Sequence, residues 1–212
     1  MSDAPPMAGR RQPTQARAKE RVERILDIAR RRLAEAGSDA LRMNDIASAA
    51  GISIGSLYQY FPDKGSIIAT LAERYNADGR ACVGDIFARV TKPADLEAAL
   101  IATLEGYYRM FCEEPTMRDI WSATLADKAL QEIDAADCRA HGAQLAELLH
   151  RLRGKTNRRH AALDRDAFLI MQLIAGIVRT AIAQPREEGD AIIASAKRLR
   201  PWAGLVAQLH PV

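Results

Sequence analysis

Residues 42–61 read RMNDIASAAGISIGSLYQYF, and this stretch is the strongest local structural signal in the first third of the chain. Its first half predicts a short helix with an apolar inner face made by Ile46, Ala47 and Ala50. Gly51 follows where a glycine with positive φ can turn the chain sharply. Ser53 is a good N-cap for a second helix, which Pro62 prevents from continuing. The stretch therefore predicts two short helices joined by a tight turn.

The second of these helices has distinct inward and outward faces. Leu57 and Phe61 are four residues apart and are predicted to face inward. The residues predicted to point outward are Ser56, Gln59 and Tyr60, with Tyr58 at the edge. Small hydroxyl, amide and phenol groups suit the base edges of a DNA major groove. Tyr58 and Phe61 can also be interpreted as the core of a three-helix unit, an interpretation we adopt for Phe61.

Composition sets the broad class of the protein. The chain has 212 residues, of which 48% are hydrophobic and 27% charged, enough to bury the core of one domain or two small ones. No apolar stretch is long enough for a membrane span, and the N-terminus lacks the apolar core of a signal peptide. Three widely spaced cysteines fit a reducing compartment. We therefore expect a folded cytoplasmic protein.

Positive charge is concentrated near the N-terminus. Residues 1–64 hold 11 Lys and Arg against 8 Asp and Glu, whereas residues 65–212 hold 19 of each. The most basic part consists of Arg10, Arg11, Arg17, Lys19, Arg21 and Arg24. Such an arm suits DNA phosphates, although a charge run taken alone is more typical of a solvated helix face beside a disordered tail.

Helical periodicity recurs from end to end, and period-2 strand patterns are missing, so the fold class is predicted to be all-α. The first helix is expected from about Gln15 to Ala36, with Gly37 in the left-handed position after it. Three prolines among residues 1–14 argue against packed structure in that tail. Later helices are predicted near 65–91, 94–113, 116–129, 131–153, 164–184 and 187–209.

The chain resembles the TetR family of repressors over roughly residues 15–75. The resemblance rests on QARAKERVERILDIA, DIASAAG, SIGSLYQYF and PDK, in that order. It implies a flexible basic tail (1–14), a helix-turn-helix DNA-binding domain (15–64) and a larger helical domain for effector binding and dimerisation (65–212). It also implies a homodimeric repressor that a small-molecule effector releases from a palindromic operator.

The family pattern, carried over to this sequence, assigns DNA contacts to particular residues. Tyr58 and Tyr60 are assigned to phosphates and bases. The residues implied on or near the groove are Ser53, Ile54, Gly55, Ser56 and Gln59. Lys64 begins the next helix, where its ammonium group and the free amides of the helix N-terminus can hold a phosphate together.

Arg42 departs from the family pattern, which usually has a capping Thr there. Two alternatives are open. Asn44 can cap one turn later, or Arg42 and Met43 can continue extended toward DNA, with Arg42 gaining a phosphate in place of the lost cap.

The helix over 167–183, AFLIMQLIAGIVRTAIA, is apolar almost all round and needs burial on two sides. The face predicted to meet a partner subunit consists of Phe168, Met171, Ala175, Val178 and Ile182. A second face, Ile170, Ile174, Ile177 and Ala181, would then serve the subunit's own core. The alternative is a central core helix in a monomer. In the resembled family the last two long helices form a four-helix dimer bundle.

Bulky side chains are concentrated on two adjacent predicted helices. They are Tyr107, Tyr108, Met110, Phe111, Met117, Trp121 and Leu125. Core packing explains them nearly as well as an effector cavity does. By resemblance to the family, we assign effector binding to Tyr107, Phe111, Trp121 and Leu125.

No sequence motif indicates catalysis, a cofactor or a metal. Cys138 and His141 lie three residues apart on one helix, but no second pair of metal ligands accompanies them. Neither a nucleophile elbow nor a Gly-rich phosphate loop occurs. Two rival classes stay open, a non-specific DNA-binding helical protein without effector and an all-α enzyme with an unrecognised site.

Overall fold

The computed structural model describes residues 11–154 and 161–208, except for the side chains of 11–14, 115, 124–126 and 208. Within these ranges the chain forms ten α-helices and one short 3-10 helix, and no strand occurs. The all-α prediction is confirmed. The predicted flexible tail comprises residues 1–14; residues 1–10 lie outside the described ranges, and residues 11–14 belong to the first helix.

The N-terminal helices are α1 (Arg11–Ala40), α2 (Met43–Ala50), α3 (Ile54–Tyr60) and the beginning of α4 (Lys64–Ala88). Helix α1 buries Ile25, Leu26, Ala29 and Leu33, which recur at helical spacing along one side. The buried residues Ile46, Ala47, Ala50 and Leu57 belong to α2 and α3. Burial of these apolar side chains stabilises the short helices, which would be marginal alone.

Both ends of α1 differ from the prediction. The described helix includes residues from Arg11 rather than from Gln15, and Pro13 is tolerated in a first turn, where a missing N–H removes no intrahelical bond. Gly37 has the expected positive φ of 72°, but its ψ of 175° lies outside the left-handed helical well. This conformation is accessible almost only to glycine. It kinks α1 rather than ending it.

The chain divides into two compact units between Leu71 and Ala72, within α4. The sequence analysis placed the domain boundary at 64/65, where α4 begins. The first turns of α4 carry the buried residues Ile67, Ile68 and Leu71, so the beginning of this helix contributes apolar side chains to a core.

The second unit contains the rest of α4, a 3-10 helix at Pro93–Asp95 and six further helices. These are α5 (Leu96–Glu113), α6 (Pro115–Ala126), α7 (Lys128–Arg153), α8 (Ala161–Ile182), α9 (Arg186–Leu199) and α10 (Ala203–Gln208). At the C-terminal end of α4, Arg151 donates to the carbonyl oxygens of Phe87 (2.7 Å) and Val90 (3.2 Å). The Phe87 carbonyl, in the last turn of the helix, also accepts from the N–H of Val90 at 3.2 Å.

The single helix predicted over 187–209 is interrupted. α9 ends at Leu199, and Arg200 adopts the left-handed conformation with φ 51° and ψ 59°. Pro201 follows and cannot continue the helical hydrogen bonding. The chain then turns, so that Trp202 is completely buried in the core before α10 begins.

Helix α8 is central to the second unit and packs against α5, α7 and α9. Gly142 of α7 allows a close approach, because a Cβ atom there would lie 3.0 Å from the Cα atom of Phe168. Among the described residues, no helix combines the length and apolar character needed to span a membrane.

Burial on α8 corrects the predicted partner-facing surface. Met171, Val178 and Ile182 are buried within the chain, and Phe168 and Ala175 are half-buried. The three neighbouring helices cover both faces that the sequence analysis separated. The exposed large apolar side chains of α8 are instead Leu169 (56% exposed) and Leu173 (47%), one turn apart.

Candidate nucleic-acid interface and ligand cavity

The turn between α2 and α3 depends on Gly51. Its φ of 66° and ψ of 34° are left-handed, and its N–H donates to the carbonyl oxygen of Ser48 at 3.1 Å. The N–H of Ile52 donates to the carbonyl oxygen of Ala47, also at 3.1 Å. The last carbonyls of α2 are thereby satisfied, and the predicted tight turn is present.

Helix α3 begins and ends as predicted. The Oγ atom of Ser53 accepts from the N–H of Ser56 at 3.1 Å, which makes Ser53 the N-cap. The helix ends at Tyr60, and Phe61 is extended just before Pro62. Leu57 and Phe61 are buried, so the predicted inward face is present.

The outward face of α3 differs in detail from the prediction. Gln59 is exposed, but Tyr60 is half-buried, and Tyr58 has 51% of its surface exposed. Each helical residue advances about 100° around the axis, so Gln59 lies opposite Leu57 while Tyr60 lies about 60° from it. Tyr58 and Gln59 therefore lie on the accessible face, and Tyr60 lies closer to the buried one.

The remaining groove residues lie at the start of α3. Ser53, Ile54 and Gly55 are exposed, and Ser56 is half-buried. A Cβ atom on Gly55 would meet no atom within 4 Å. The backbone is thus open to close approach from outside the chain.

Arg42 is the extended N-cap of α2, with φ −124°, ψ 133° and no side-chain capping bond. Met43 is the first helical residue, so Asn44 lies inside the helix rather than at its cap. The guanidinium group of Arg42 donates to the carbonyl oxygen of Asp39 at 2.5 Å. Arg42 alone is therefore extended, whereas Met43 is helical, and the Arg42 side chain binds a carbonyl of its own chain.

The N-terminus of α4 has a cap that the sequence analysis missed. Asp63 Oδ1 accepts from the N–H of Ser66 at 2.7 Å, so this amide is not free for a phosphate. Lys64 begins the helix as predicted, but its Nζ donates to the carbonyl oxygen of Ser38 at 3.2 Å. An Asp three residues before a Ser at a helix start is the signal that would have indicated the cap.

Helix α1 carries two kinds of cation. Arg30 and Arg31 pair with Asp27 at 3.0 and 3.1 Å. Nearer the N-terminus, the exposed residues without an acidic partner among those described are Arg17, Lys19, Arg21 and Arg24. These four cations contribute exposed positive charge to the unit, offset in part by Glu20 and Glu23 in the same stretch.

The second unit contains a cavity of about 100 Å³. Most of its lining is apolar or aromatic and comprises Tyr107, Met110, Phe111, Met117, Ile120, Trp121 and Met171. Three of the four residues predicted to bind effector, Tyr107, Phe111 and Trp121, meet at this cavity. The side chain of the fourth, Leu125, lies outside the described residues. Helix α4 contributes Ala72, Tyr75, Asn76 and Gly79.

One wall of the cavity holds a buried polar network. The hydroxyl oxygen of Tyr107 lies 2.5 Å from Nε2 of His141, and burial, followed by the charge of Asp137, raises the pKa of this tyrosine. The Asp137 carboxylate lies 3.2 Å from the same imidazole nitrogen and also pairs with Arg80 of α4. Gln144 donates to the carbonyl oxygen of Arg80 at 2.9 Å. The network therefore connects the cavity wall to α4.

Another part of the lining is an aromatic stack. The ring centroids of Phe111 and Trp121 are 5.0 Å apart, and the guanidinium carbon of Arg179 lies 4.2 Å from the Trp121 ring centroid. Arg179 is itself part of the lining. This geometry is that of a cation–π interaction.

Metal ligation has no support in the described part of the chain, where no three His, Cys, Asp or Glu residues are grouped to hold an ion. Cys138 Sγ lies 3.6 Å from Oε1 of Gln172, and His141 contacts Tyr107 and Asp137. Both side chains line the cavity.

Two family models match the chain. Residues 25–71 match the bacterial regulatory proteins of the tetR family, and residues 94–200 match the tetracyclin repressor-like C-terminal domain. The chain belongs to the TetR family of transcriptional regulators. The second match extends the family assignment to residues 94–200, which lie outside the segment 15–75 that carries the sequence resemblance.

Solved TetR-family structures share this fold. A regulator from Streptomyces coelicolor is 26% identical, with a TM-score of 0.64 over 88% of this chain and 99% of its own. One from Pectobacterium atrosepticum is 22% identical, with a TM-score of 0.66 over 87% and 92%. FadR from Bacillus subtilis, solved in complex with stearoyl-CoA, is 14% identical, with a TM-score of 0.61 over 88% and 96%. No curated protein matches the chain.

Membership in the TetR family establishes a DNA-binding transcriptional regulator. TetR-family proteins are transcription factors rather than enzymes.

Proposed function

We propose that this TetR-family protein is a cytoplasmic repressor that binds a palindromic operator as a homodimer and is released by a small-molecule effector. The observation that carries the DNA half of the proposal is the exposed face of α3. Gln59 and Tyr58 are accessible beside the open backbone of Gly55, on a helix fixed by the Ser53 cap. Such a face can meet base edges in a major groove.

Phosphate contacts are proposed for the unpaired cations of α1 and for Arg42. Arg42 would exchange the Asp39 carbonyl for a phosphate oxygen, an exchange favoured by the stronger charge-assisted bond. Lys64 would likewise exchange the carbonyl oxygen of Ser38 for a phosphate oxygen. Contacts of this kind position a protein on the duplex and make its affinity salt-dependent.

The proposed dimer interface is the exposed side of α8. Leu169 and Leu173 lie one turn apart, and Gly176 and Thr180 continue the same side of the helix at helical spacing. A Cβ atom on Gly176 would meet no atom within 4 Å, so this side is open to a second helix. Two copies would read two half-sites, because one short helix contacts too few bases for useful specificity.

The effector is proposed to bind in the cavity of the second unit. A mostly apolar concave space with a few polar groups is typical of ligand sites. Helix α4 is continuous from Lys64 to Ala88, so it carries both Lys64 and the cavity residues Asn76 and Gly79. A ligand that alters this helix can therefore change operator affinity.

Selection of bound duplexes from a random pool tests the DNA half of the proposal. We expect enrichment of a palindrome with half-sites centred about one helical turn apart. Recovery of sequences no different from the starting pool would instead indicate a non-specific DNA-binding protein. A reciprocal titration then tests the effector half.

In that titration, a ligand that changes Trp121 fluorescence should bind more weakly when the operator is saturating. Linkage requires the two affinities to fall by the same factor, about 5- to 150-fold for usual coupling energies. Equal ligand affinity with and without operator would contradict release by that ligand, and chemical conversion of the bound ligand would indicate an enzyme.

A further inference from the structure

A groove in the surface runs beside the cavity, between α4 and α7. Helix α4 contributes Glu73 and Arg80 to its lining, and α7 contributes Glu132, Ala136 and Ala140. Glu73, Glu132 and Ala136 are exposed, whereas every residue that lines the cavity is buried or half-buried. The groove is therefore a surface feature, and the cavity lies further inside.

Three residues line both the groove and the cavity, so they form the partition between the two spaces. They are Asn76 of α4 and Ile133 and Asp137 of α7. Arg80 pairs with Asp137 and lines the groove but not the cavity. The exposed fraction of the side chain is 35% for Arg80 and 16% for Asp137. The ion pair thus extends from the surface to the partition.

The packing around α7 is uneven. Its backbone packs closely against α6 and α8, whereas along the described residues it makes few close approaches to α4. Side chains bridge α4 and α7 at the groove, through the Arg80–Asp137 pair and through Gln144, which donates to the carbonyl oxygen of Arg80 at 2.9 Å. A seam bridged by side chains opens at lower cost than one with closely packed backbones, because fewer apolar contacts are lost.

We propose that the groove between α4 and α7 is the route by which small molecules reach the cavity, and that the Arg80–Asp137 ion pair closes it. The proposal rests on the proposed function, in which this cavity holds the effector. His141, 3.2 Å from the Asp137 carboxylate, holds the inner partner in place. Opening therefore moves the Arg80 side chain toward solvent, where water replaces the carboxylate as its partner. Closure by a partly exposed pair is readily reversible.

Entry is measured with a thiol on the inner side of the cavity. Met171 of α8 is buried and lines the cavity, so Met171→Cys places a thiol there. The full-length variant is exposed for set times to methyl methanethiosulfonate, a small uncharged reagent whose product has nearly the size of the original methionine. Mass spectrometry of peptides gives the rate at this site. Cys112, half-buried outside the cavity lining, reports any reaction that occurs through unfolding.

Two further substitutions in this variant test the route. Arg80→Ala should raise the rate about fivefold, because the rate follows the open fraction and a partly exposed ion pair changes that fraction by up to such a factor. Ala136→Trp places an indole ring in the groove while keeping both charged residues, and it should slow the reaction. Ala143→Trp is the matched control, since Ala143 is an exposed alanine of α7 that lines neither space. It should leave the rate unchanged.

An unchanged rate in Ala136→Trp would overturn the proposal even if Arg80→Ala failed to fold. Equal slowing by Ala143→Trp would overturn it as well. Faster reaction in Arg179→Ala but not in Arg80→Ala would place the entrance between α6 and α8 instead, where Arg179 covers Trp121. In each case the rate at Cys112 should stay constant.

Neither an effector nor an operator enters this experiment, so its outcome is separate from that of the proposed function. If the groove controls entry but no bound ligand changes operator affinity, the route stands and effector release fails. If a ligand releases the operator while Ala136→Trp leaves thiol modification unchanged, effector release stands and this route fails.

Discussion

The backbone of Gly189 in α9 lies so close to Tyr108 in α5 that a Cβ atom on the glycine would be 2.5 Å from the tyrosine hydroxyl oxygen. The same atom would be 2.7 Å from the carbonyl oxygen of Ala181 in α8. Gly189→Ala should therefore lower the free energy of unfolding by about 1–3 kcal/mol, the usual cost of overpacking. Urea unfolding at fixed protein concentration measures this.

Gly84→Ala provides the control, since its Cβ atom would meet Gln144 at an ordinary 3.5 Å. It should be neutral or stabilising by up to about 1 kcal/mol, because alanine favours a helix interior. Introducing Tyr108→Phe should relieve part of the cost of Gly189→Ala. Equal stability of the two alanine variants would contradict the close packing of α9.

Ionisation of Tyr107 should lower the free energy of unfolding at alkaline pH. Burial raises its pKa in the folded chain above the value of 10.0 for a free tyrosine, so the folded state keeps a proton that the unfolded state loses. Its contribution is fully present below about pH 10 and is lost as pH rises above that value. In Tyr107→Phe, the decrease in unfolding free energy between about pH 9 and pH 11 should be smaller than in the wild type. Parallel decreases in both proteins would argue against this origin.

Gly55→Ala should separate folding from DNA binding. The added methyl group meets no atom of the chain within 4 Å, and alanine raises helix stability by about 0.5–1 kcal/mol. We expect unchanged or slightly higher thermal stability together with weaker operator binding, because the methyl group prevents close approach of the DNA. Gly204→Ala, equally unobstructed but in α10, should leave operator affinity unchanged. Wild-type affinity in Gly55→Ala would exclude close approach at this position.

Substitutions of Gln59 and of Lys64 should affect DNA binding in different ways. Gln59→Ala should weaken operator binding by about 1–3 kcal/mol and relax the preference at one base pair, as expected for a group at a base edge. Lys64→Ala should weaken binding to every duplex alike and lower the salt slope by about one. Binding curves at several salt concentrations measure both effects. An unchanged base preference in Gln59→Ala and in Tyr58→Ala would rule out α3 as the reading helix.

Leu173→Glu should split the proposed dimer, because it places a charge in the middle of the exposed line on α8. We expect sedimentation to show a monomer and operator affinity to fall sharply. Ala98→Glu, at an exposed position of α5, should stay dimeric. A charge at Ala175 is a poorer test, because this residue lines the cavity. If the wild-type protein sediments as a monomer at concentrations that saturate the operator, the dimer proposal is wrong.

Local sequence determined the DNA-binding motif of this protein. Gly51, Ser53 and Pro62 each act within a few residues through backbone conformation, a capping hydrogen bond or a missing N–H. Such effects do not depend on distant parts of the chain, so the turn and the limits of α3 could be predicted. The same reasoning, applied as an angle around the helix, would also have placed Tyr60 closer to the buried face.

Only the tertiary structure decided which sides of α8 are covered and what surrounds the cavity. The sequence of an apolar helix does not show whether a given side is covered by the chain's own helices or by a partner, so Met171 and Val178 were assigned to a partner although they are buried within the chain. Likewise, Arg80, Tyr107 and Asp137 belong to three helices, and their network exists because packing brings those helices together. Contacts between residues far apart in sequence leave no local pattern, and for that physical reason they could not be predicted from a single sequence.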